Sequence, residues 1–375
     1  MSALAWVLVS GSLSLDVKVK NEHHVLWVES DCRECDSSEL WVDGKLVGFG
    51  AGKFAVPRRE NRVRVIVKGF KKTRINKNGF TIDSVIWQTD TLIPRKSPYF
   101  ADPLLRKIQD SLNAVRLHYP IPMMAADSSL TAAAQSHANY LFANWNFYKE
   151  YSADTLLCMH NEMKGKQGFT GKHCWDRAER FGYPEEMLVS EVIDFPYDPL
   201  HAIAGWLSTL YHRLALLDPD YFEMGFGFCD ELEDGSYGVS VMNPGGYELS
   251  YPYAEPFFVV YPYPDQIRVP TIMSPEVPDP APDLREEGFP ITVQVPRAFK
   301  DRIKVIDILL YDENMEQVKA RFLFSGNDEY LGENEYASLP EKPLKPLQTY
   351  TVRVAYELDG NPGKTSWKFT TSAFW

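Results

Sequence analysis

The hydrophobic period of this chain changes twice along its length, and those two changes limit its fold more than any single motif does. From Val7 to about Pro94, runs such as LDVKVK, HHVLWVES, ELWVDGKLVGF and RVRVIVKGF alternate apolar and polar residues between Gly, Asp and Asn turns. Period-two runs of this length predict short antiparallel strands at sandwich spacing. Between Asp102 and His118 the apolar residues Leu104, Leu105, Ile108, Leu112 and Val115 recur at helical spacing instead. A second helix is predicted after Asp127, a good N-cap residue, with Leu130, Ala134, His137 and Leu141 on its buried stripe. Far downstream, FPITVQV, IKVIDILLYD, VKARFLF, QTYTVRVAYEL and KTSWKFTTS return to alternation, with turns at Asp312-Glu-Asn and Asp359-Gly-Asn.

The expected architecture is a multidomain α+β chain, since 375 residues exceed one ordinary domain of about 150. Residues 1–95 are expected to form a β-sandwich, and 100–262 a central layered domain. In the latter, YFEMGFGFC, GSYGVSVMN and EPFFVVYPY supply an apolar sheet covered by helices, an α/β/α sandwich. The stretch Pro262 to Pro282 (PYPDQIRVPTIMSPEVPDPAP) is dense in proline, so residues 263–283 are expected to form an extended linker, and 284–375 a second small β-sandwich. Gly48, Gly50 and Gly52 precede no helix, so they predict a hairpin rather than a nucleotide loop.

Charge narrows the function. With 51 acidic against 39 basic residues the net charge is -12, which disfavours nucleic acid or an anionic membrane as partner. The basic stretch Lys68 to Lys77 is a local exception, read as a solvated strand and turn. No membrane span is predicted, because no stretch approaches the roughly 20 apolar residues required. Ala3 to Val9 is apolar but lacks a preceding Lys or Arg and a following cleavage pattern, so no signal peptide is evident. Five cysteines are too few for a disulfide-stapled scaffold, and the single Cys32-x-x-Cys35 pair is weak evidence for zinc or redox chemistry.

The polar residues that apolar cores avoid stand in a fixed order: LNAVR, QSHANYL, HNE, SEVI and YHR, carrying His137, His160, Glu162, Glu191 and His212. Imidazoles and carboxylates gathered in one cleft can bind a cation or exchange protons. Arg116 and Arg177 are expected to brace loops or helix ends through carboxylates. His137, on the buried stripe, is expected as a core histidine satisfied by hydrogen bonds or as part of the cleft.

Together with LNAVRLHYPIPMMAADSSLTAAAQSHANYL, GFTGKHCWDRAERFGY and STLYHRLALLDPDYFEMGFGF, these signals resemble the bacterial branch of the CAP (SCP) superfamily, over about residues 100 to 262. That family comprises cysteine-rich secretory, antigen 5 and pathogenesis-related 1 proteins. The resemblance implies a CAP-type α/β/α sandwich and a cleft lined by two histidines and two acids. His160 matches the first histidine, Glu191 the carboxylate of the Glu-Asn segment, and His212 the second histidine. Two departures stand out. The usual GEN is SEV here, with Val192 for Asn, and no Glu follows Trp206 at the expected spacing, so Glu162 is the candidate substitute. ELWVDGKLVGFGAGKFAVPRRENRVRVIVKG resembles immunoglobulin-like modules of bacterial surface proteins, and PLKPLQTYTVRVAYELDG with SWKFTTS resembles the ending of immunoglobulin-like or fibronectin-like modules in bacterial exported proteins.

Three readings of the cleft follow. It is a non-catalytic binding or scaffold module of an exported or cell-surface protein, with a lipid, sterol-like or cell-wall ligand as expected partner. Or it is a metal-dependent hydrolase, with zinc or another divalent cation held by His160, His212 and Glu191. Or the His/Glu network is purely structural. No HEXXH, G-x-S-x-G, Walker A or dinucleotide fingerprint supports an enzyme, so the enzyme reading ranks below the binding one. The expected location is extracellular or at the cell envelope.

Overall fold

The computed structural model describes residues 15–22, 25–32, 37–42, 45–49, 52–57, 62–75, 80–88, 91–94, 99–149, 159–185, 187–195, 198–231, 237–247, 253 and 255–373. The chain divides into two compact units, residues 1–99 with 251–254, and residues 100–250 with 255–375.

In the first unit the alternating runs form strands, as their period requires. β1 (Leu15–Glu22), β2 (Val25–Cys32) and β5 (Gly52–Pro57) make one antiparallel sheet. β3 (Ser37–Val42), β4 (Lys45–Phe49), β6 (Arg62–Ile75), β7 (Phe80–Gln88) and β8 (Thr91–Pro94) make another. The glycine stretch is not a hairpin: β4 pairs with β3 and β5 with β2, so the chain changes sheet there. Most of the basic stretch lies on β6, where Lys68 Nζ stands 4.3 Å from the centre of the Trp41 ring. Ala3 to Val9 and Cys35 fall outside the described residues.

The second unit opens with α1 (Pro103–Arg116). The Asp102 carboxylate accepts from the backbone N–H groups of Leu104 and Leu105 at 2.8 and 3.0 Å, and Pro103 at the first position needs no acceptor. Ile108 and Leu112 are buried on its inner face. After the short β9 (Ala125–Ala126), α2 (Ser128–Ala143) starts at Asp127, which caps Ser129 and Leu130. Then come α3 (Trp145–Lys149), α4 (Cys174–Arg180), β10 (Met187–Val189), β11 (Val192–Asp194), α5 (Ala202–Leu207) and α6 (Tyr211–Leu217). The long hairpin of β12 (Tyr221–Glu231) and β13 (Tyr237–Tyr247) is the centre of the sheet, ordered β10-β13-β12-β9 with β11 also on β13.

Helix α2 lies directly on that hairpin, and two glycines permit it. A Cβ on Gly225 would sit 2.0 Å from the Leu130 carbonyl carbon, and one on Gly227 would sit 2.3 Å from the Gln135 Cα. Backbone meets backbone there, so neither site tolerates a side chain without displacing the helix. α4 ends at Gly182, whose φ of +93° suits a residue without Cβ.

The C-terminal strands are β14 (Val259–Tyr261), β15 (Gln266–Val269), β16 (Ile291–Gln294), β17 (Ile303–Tyr311), β18 (Ala320–Phe324), β19 (Glu335–Pro340), β20 (Thr349–Leu358) and β21 (Asn361–Thr371). They build two four-stranded sheets, β14-β16-β19-β18 and β15-β21-β20-β17. Asp359 and Gly360, with φ of 51° and 78°, turn β20 into β21, as the Asp-Gly pair predicts.

Two expectations require correction. EPFFVVYPY does not join the central sheet: its strand β14 pairs with β16 of the C-terminal sheet. All three β14 residues are buried, and an apolar run suits either sheet equally well. The proline-rich stretch is extended but is no free spacer. It contributes β15, parallel to β21, and the Ser274 N–H donates to the Ser208 carbonyl at 3.0 Å. Leu210, which precedes α6, and Leu214 of α6 share one apolar cluster with Met273, Ala281, Leu323, Leu331, Ala337 and Leu339, so a single core crosses the expected boundary. Among the described residues no helix is long and apolar enough to cross a membrane.

Candidate functional site

His137 is fully buried on α2, and both of its ring nitrogens face oxygen acceptors. Nε2 donates to the Met159 carbonyl at 2.8 Å, and Nδ1 stands 3.1 Å from Glu162 Oε1. It is a satisfied core histidine within the polar network. Glu162 is buried beside it and accepts from the Thr170 N–H at 2.5 Å and the Gly171 N–H at 3.3 Å. The chain turns at Met159 to Asn161, which carries Glu162 towards α2 rather than into the cleft. Glu162 is therefore not the second acid of the cleft.

Glu191 follows β10 and precedes β11, and its carboxylate is almost completely buried. Its Oε2 accepts from Arg177 Nη2 at 2.6 Å and from Asn243 Nδ2 at 3.2 Å, and its Oε1 lies 3.1 Å from His160 Nδ1. Asn243, on β13, also donates to the Ser190 carbonyl at 3.1 Å. An amide from across the sheet thus contacts the carboxylate, while Val192 in the expected Asn position is buried and faces Met242. Arg177 is fully buried, donates to the carbonyls of His160, Gly171 and Lys172, and faces Glu162 at 3.8 Å through Nε. Arg116 differs from expectation: its guanidinium donates to backbone, at the carbonyls of Pro122, Leu216, Asp218 and Tyr221.

Burial alone would raise the Glu191 carboxyl, but His137, Arg177 and His160 outweigh it and hold it well below the ordinary 4.5. A depressed folded-state value means the unfolded chain takes up the proton first. The resulting stability is present above about pH 4.5 and is lost as pH falls through the carboxylate range. Glu191→Gln should flatten that acid limb, so melting curves of variant and wild type should converge on acidification from about pH 7 to pH 3. Parallel curves would show that the fold does not hold this carboxyl below its unfolded value.

Beside this network lies a cavity of about 550 Å³, with His160 and His212 both on its wall. Trp145, Met159, Ile193, Phe195 and Trp206 supply apolar surface, and Ser274 to Val277 complete the lining from the proline-rich stretch. His212, on α6, has its Nδ1 3.1 Å from Glu276 Oε2 and 3.2 Å from Thr209 Oγ1. Each cavity histidine therefore has Nδ1 held by a buried glutamate, Glu191 for His160 and Glu276 for His212. Such a pairing fixes the ring and its tautomer and leaves Nε2 as the uncommitted nitrogen. Sequence reasoning misses Glu276, since one acid in a proline-rich stretch carries no site signal; its only mark is isolation among Pro275, Pro278 and Pro280.

The expected metal ligands do not fit an ion. Both Glu191 oxygens are engaged by Arg177, Asn243 and His160, so the carboxylate of the expected ligand set is already taken. Among the described residues no group of three or more His, Cys, Asp or Glu side chains could hold a metal. Burial, assisted by Glu191, pushes the Cys174 thiol up to about 12, so it is no nucleophile, and the Cys229 thiol donates to Asn139 Oδ1 at 3.3 Å. Cys158 lies outside the described residues.

Helices pack on an antiparallel hairpin beside a cleft with two glutamate-held histidines. Residues 109–243, about a third of the chain, match the model of CAP, the Cysteine-rich secretory protein family. No curated protein matches the chain. Among solved structures, an outer surface protein from Borrelia burgdorferi is similar at 15% identity, covering 38% of this chain and 90% of its own, with a TM-score of 0.29.

Proposed function

We propose that the CAP domain is a non-catalytic binding module of an exported or envelope protein, and that its cleft takes a small amphiphile of the lipid or sterol-like class. The observation that carries this reading is the cavity of about 550 Å³, whose walls are mainly aromatic and aliphatic and whose polar groups include two oriented histidines. Pockets of this volume, apolar with few convergent polar groups, suit one small ligand. The secretory description of the matching family supports export, and the net charge of -12 speaks against a nucleic-acid partner. A metal-dependent hydrolase is not supported, because the carboxylate it would need is already engaged.

The test is titration with cis-parinaric acid, a fluorescent fatty acid that accepts energy from nearby tryptophans such as Trp145 and Trp206. Saturable binding is expected. Val277→Trp, at a rim position that is 38% exposed, should fill the cleft entrance and weaken binding by about tenfold or more without unfolding the protein. Equal affinity in the two proteins would place the ligand elsewhere.

A further inference from the structure

The strap Ser274 to Val277 forms one wall of the cleft, yet it belongs to the stretch that leads into the C-terminal sheets. Its two ends are anchored: Met273 and Ala281 are buried in the cluster shared with α6, and Ile272 bridges Gly288. Between these anchors the backbone has little means of attachment. Pro275, Pro278 and Pro280 lack N–H donors, so no ladder can hold the strap down. Among the described residues, the hydrogen bonds that hold it are the Ser274 to Ser208 bond and those of one side chain, Glu276.

The Glu276 carboxylate is completely buried and accepts from the Leu210 N–H at 2.5 Å and the Tyr211 N–H at 3.0 Å. Its Oε2 also meets His212 Nδ1 at 3.1 Å. All of these partners belong to the CAP domain. Glu276 therefore connects the strap to the same histidine that lines the cavity.

We propose that the Ser274 to Val277 strap is a gate over the CAP cleft and that Glu276 is its latch. Release of Glu276 from His212 and from the backbone of Leu210 and Tyr211 widens the opening beside Val277, while Met273 and Ala281 keep the strap tethered. Opening frees His212 Nδ1 as the entrance widens, so the C-terminal segment controls both the width of the cleft and the polarity of its floor. This inference rests on the reading of the cleft as a ligand site.

The experiment compares full-length wild type, Glu276→Gln and Glu276→Ala by hydrogen exchange and by stopped-flow mixing with cis-parinaric acid. In Glu276→Ala the Ser274 amide, which donates to the Ser208 carbonyl, should exchange about tenfold faster or more, with α2, β12 and β13 unchanged, and the probe should associate about tenfold faster. Glu276→Gln keeps an acceptor for the backbone but not the charge opposite His212, and should fall between. Binding by Glu276→Ala alone would support the gate most directly. An unchanged strap, or faster exchange spread through β12 and β13, would overturn the latch. A strap freed in Glu276→Ala with the same association rate in all three proteins would overturn the gate alone. No binding in any of the three would overturn the ligand reading and the gate with it.

Discussion

Replacing Arg177 with methionine is expected to destabilise the CAP domain by about 3–5 kcal/mol, because it leaves buried carboxylates without their counter-charge. Arg177 is the fixed cation between Glu191, at 2.6 Å, and Glu162, at 3.8 Å, and all three side chains are nearly or completely buried. It also donates to three carbonyls in the segments before α4, at 3.1 to 3.3 Å. Methionine fills similar volume, so the loss reports charge and hydrogen bonding rather than a cavity. Denaturant unfolding at neutral pH measures it. Adding Glu191→Gln to Arg177→Met should recover part of the loss, since the pair then removes opposite charges together. A single-variant loss below about 1 kcal/mol would show that the network is not held by ionised carboxylates.

Arg213→Lys is expected to cost about 2–4 kcal/mol, although the charge is kept, because the two side chains differ in shape. Arg213 is fully buried; its Nε donates to the Leu207 carbonyl at 2.7 Å and its Nη1 to the Pro290 carbonyl at 2.5 Å. The first acceptor belongs to the CAP domain and the second leads into β16, so one planar group joins them. The guanidinium carbon also lies 4.7 Å from the Tyr261 ring centre and 4.4 Å from that of Phe289. Burial pulls Arg213 down to about 10, partly countered by Tyr261, Glu276 and Tyr119. Lysine cannot span both carbonyls and stack on both rings. It does remove Nη2, which has no hydrogen-bond partner among the described residues, and this offsets part of the loss. Hydrogen exchange should show β14 and β16 loosening before β12 and β13. An effect under about 0.5 kcal/mol would mean that the shared apolar cluster alone joins the two parts.

Both arginines occur in motifs visible in the sequence, but their roles depend on partners distant along the chain. Arg177 is expected from sequence to brace a loop through carboxylates, which it does, whereas Arg116 ties four backbone carbonyls together. A sequence shows that a guanidinium needs acceptors when buried, but not which acceptors the fold will present. The same limit explains Glu162 and Glu276. Glu162 stands two residues from His160 in the chain, yet the turn between them sends it to His137. Glu276 lies 3.1 Å from His212 although 64 positions separate them in the numbering (276 − 212).

Local features are legible from the residues alone: period, caps and turns. The alternating runs became strands, Asp102 and Asp127 capped the helices that follow them, and Asp359-Gly360 turned the last hairpin, because each depends on residues within a few positions. His137 was also legible, since helical spacing alone puts it on the stripe with Leu130, Ala134 and Leu141. Tertiary structure decided which sheet received β14, that Asn243 reaches Glu191 from the neighbouring strand, and that a proline-rich stretch closes the cleft with Glu276. An apolar strand fits any sheet with a buried face, and a carboxylate pairs with whichever imidazole the packed chain brings to it, so these pairings follow from the packing of distant segments.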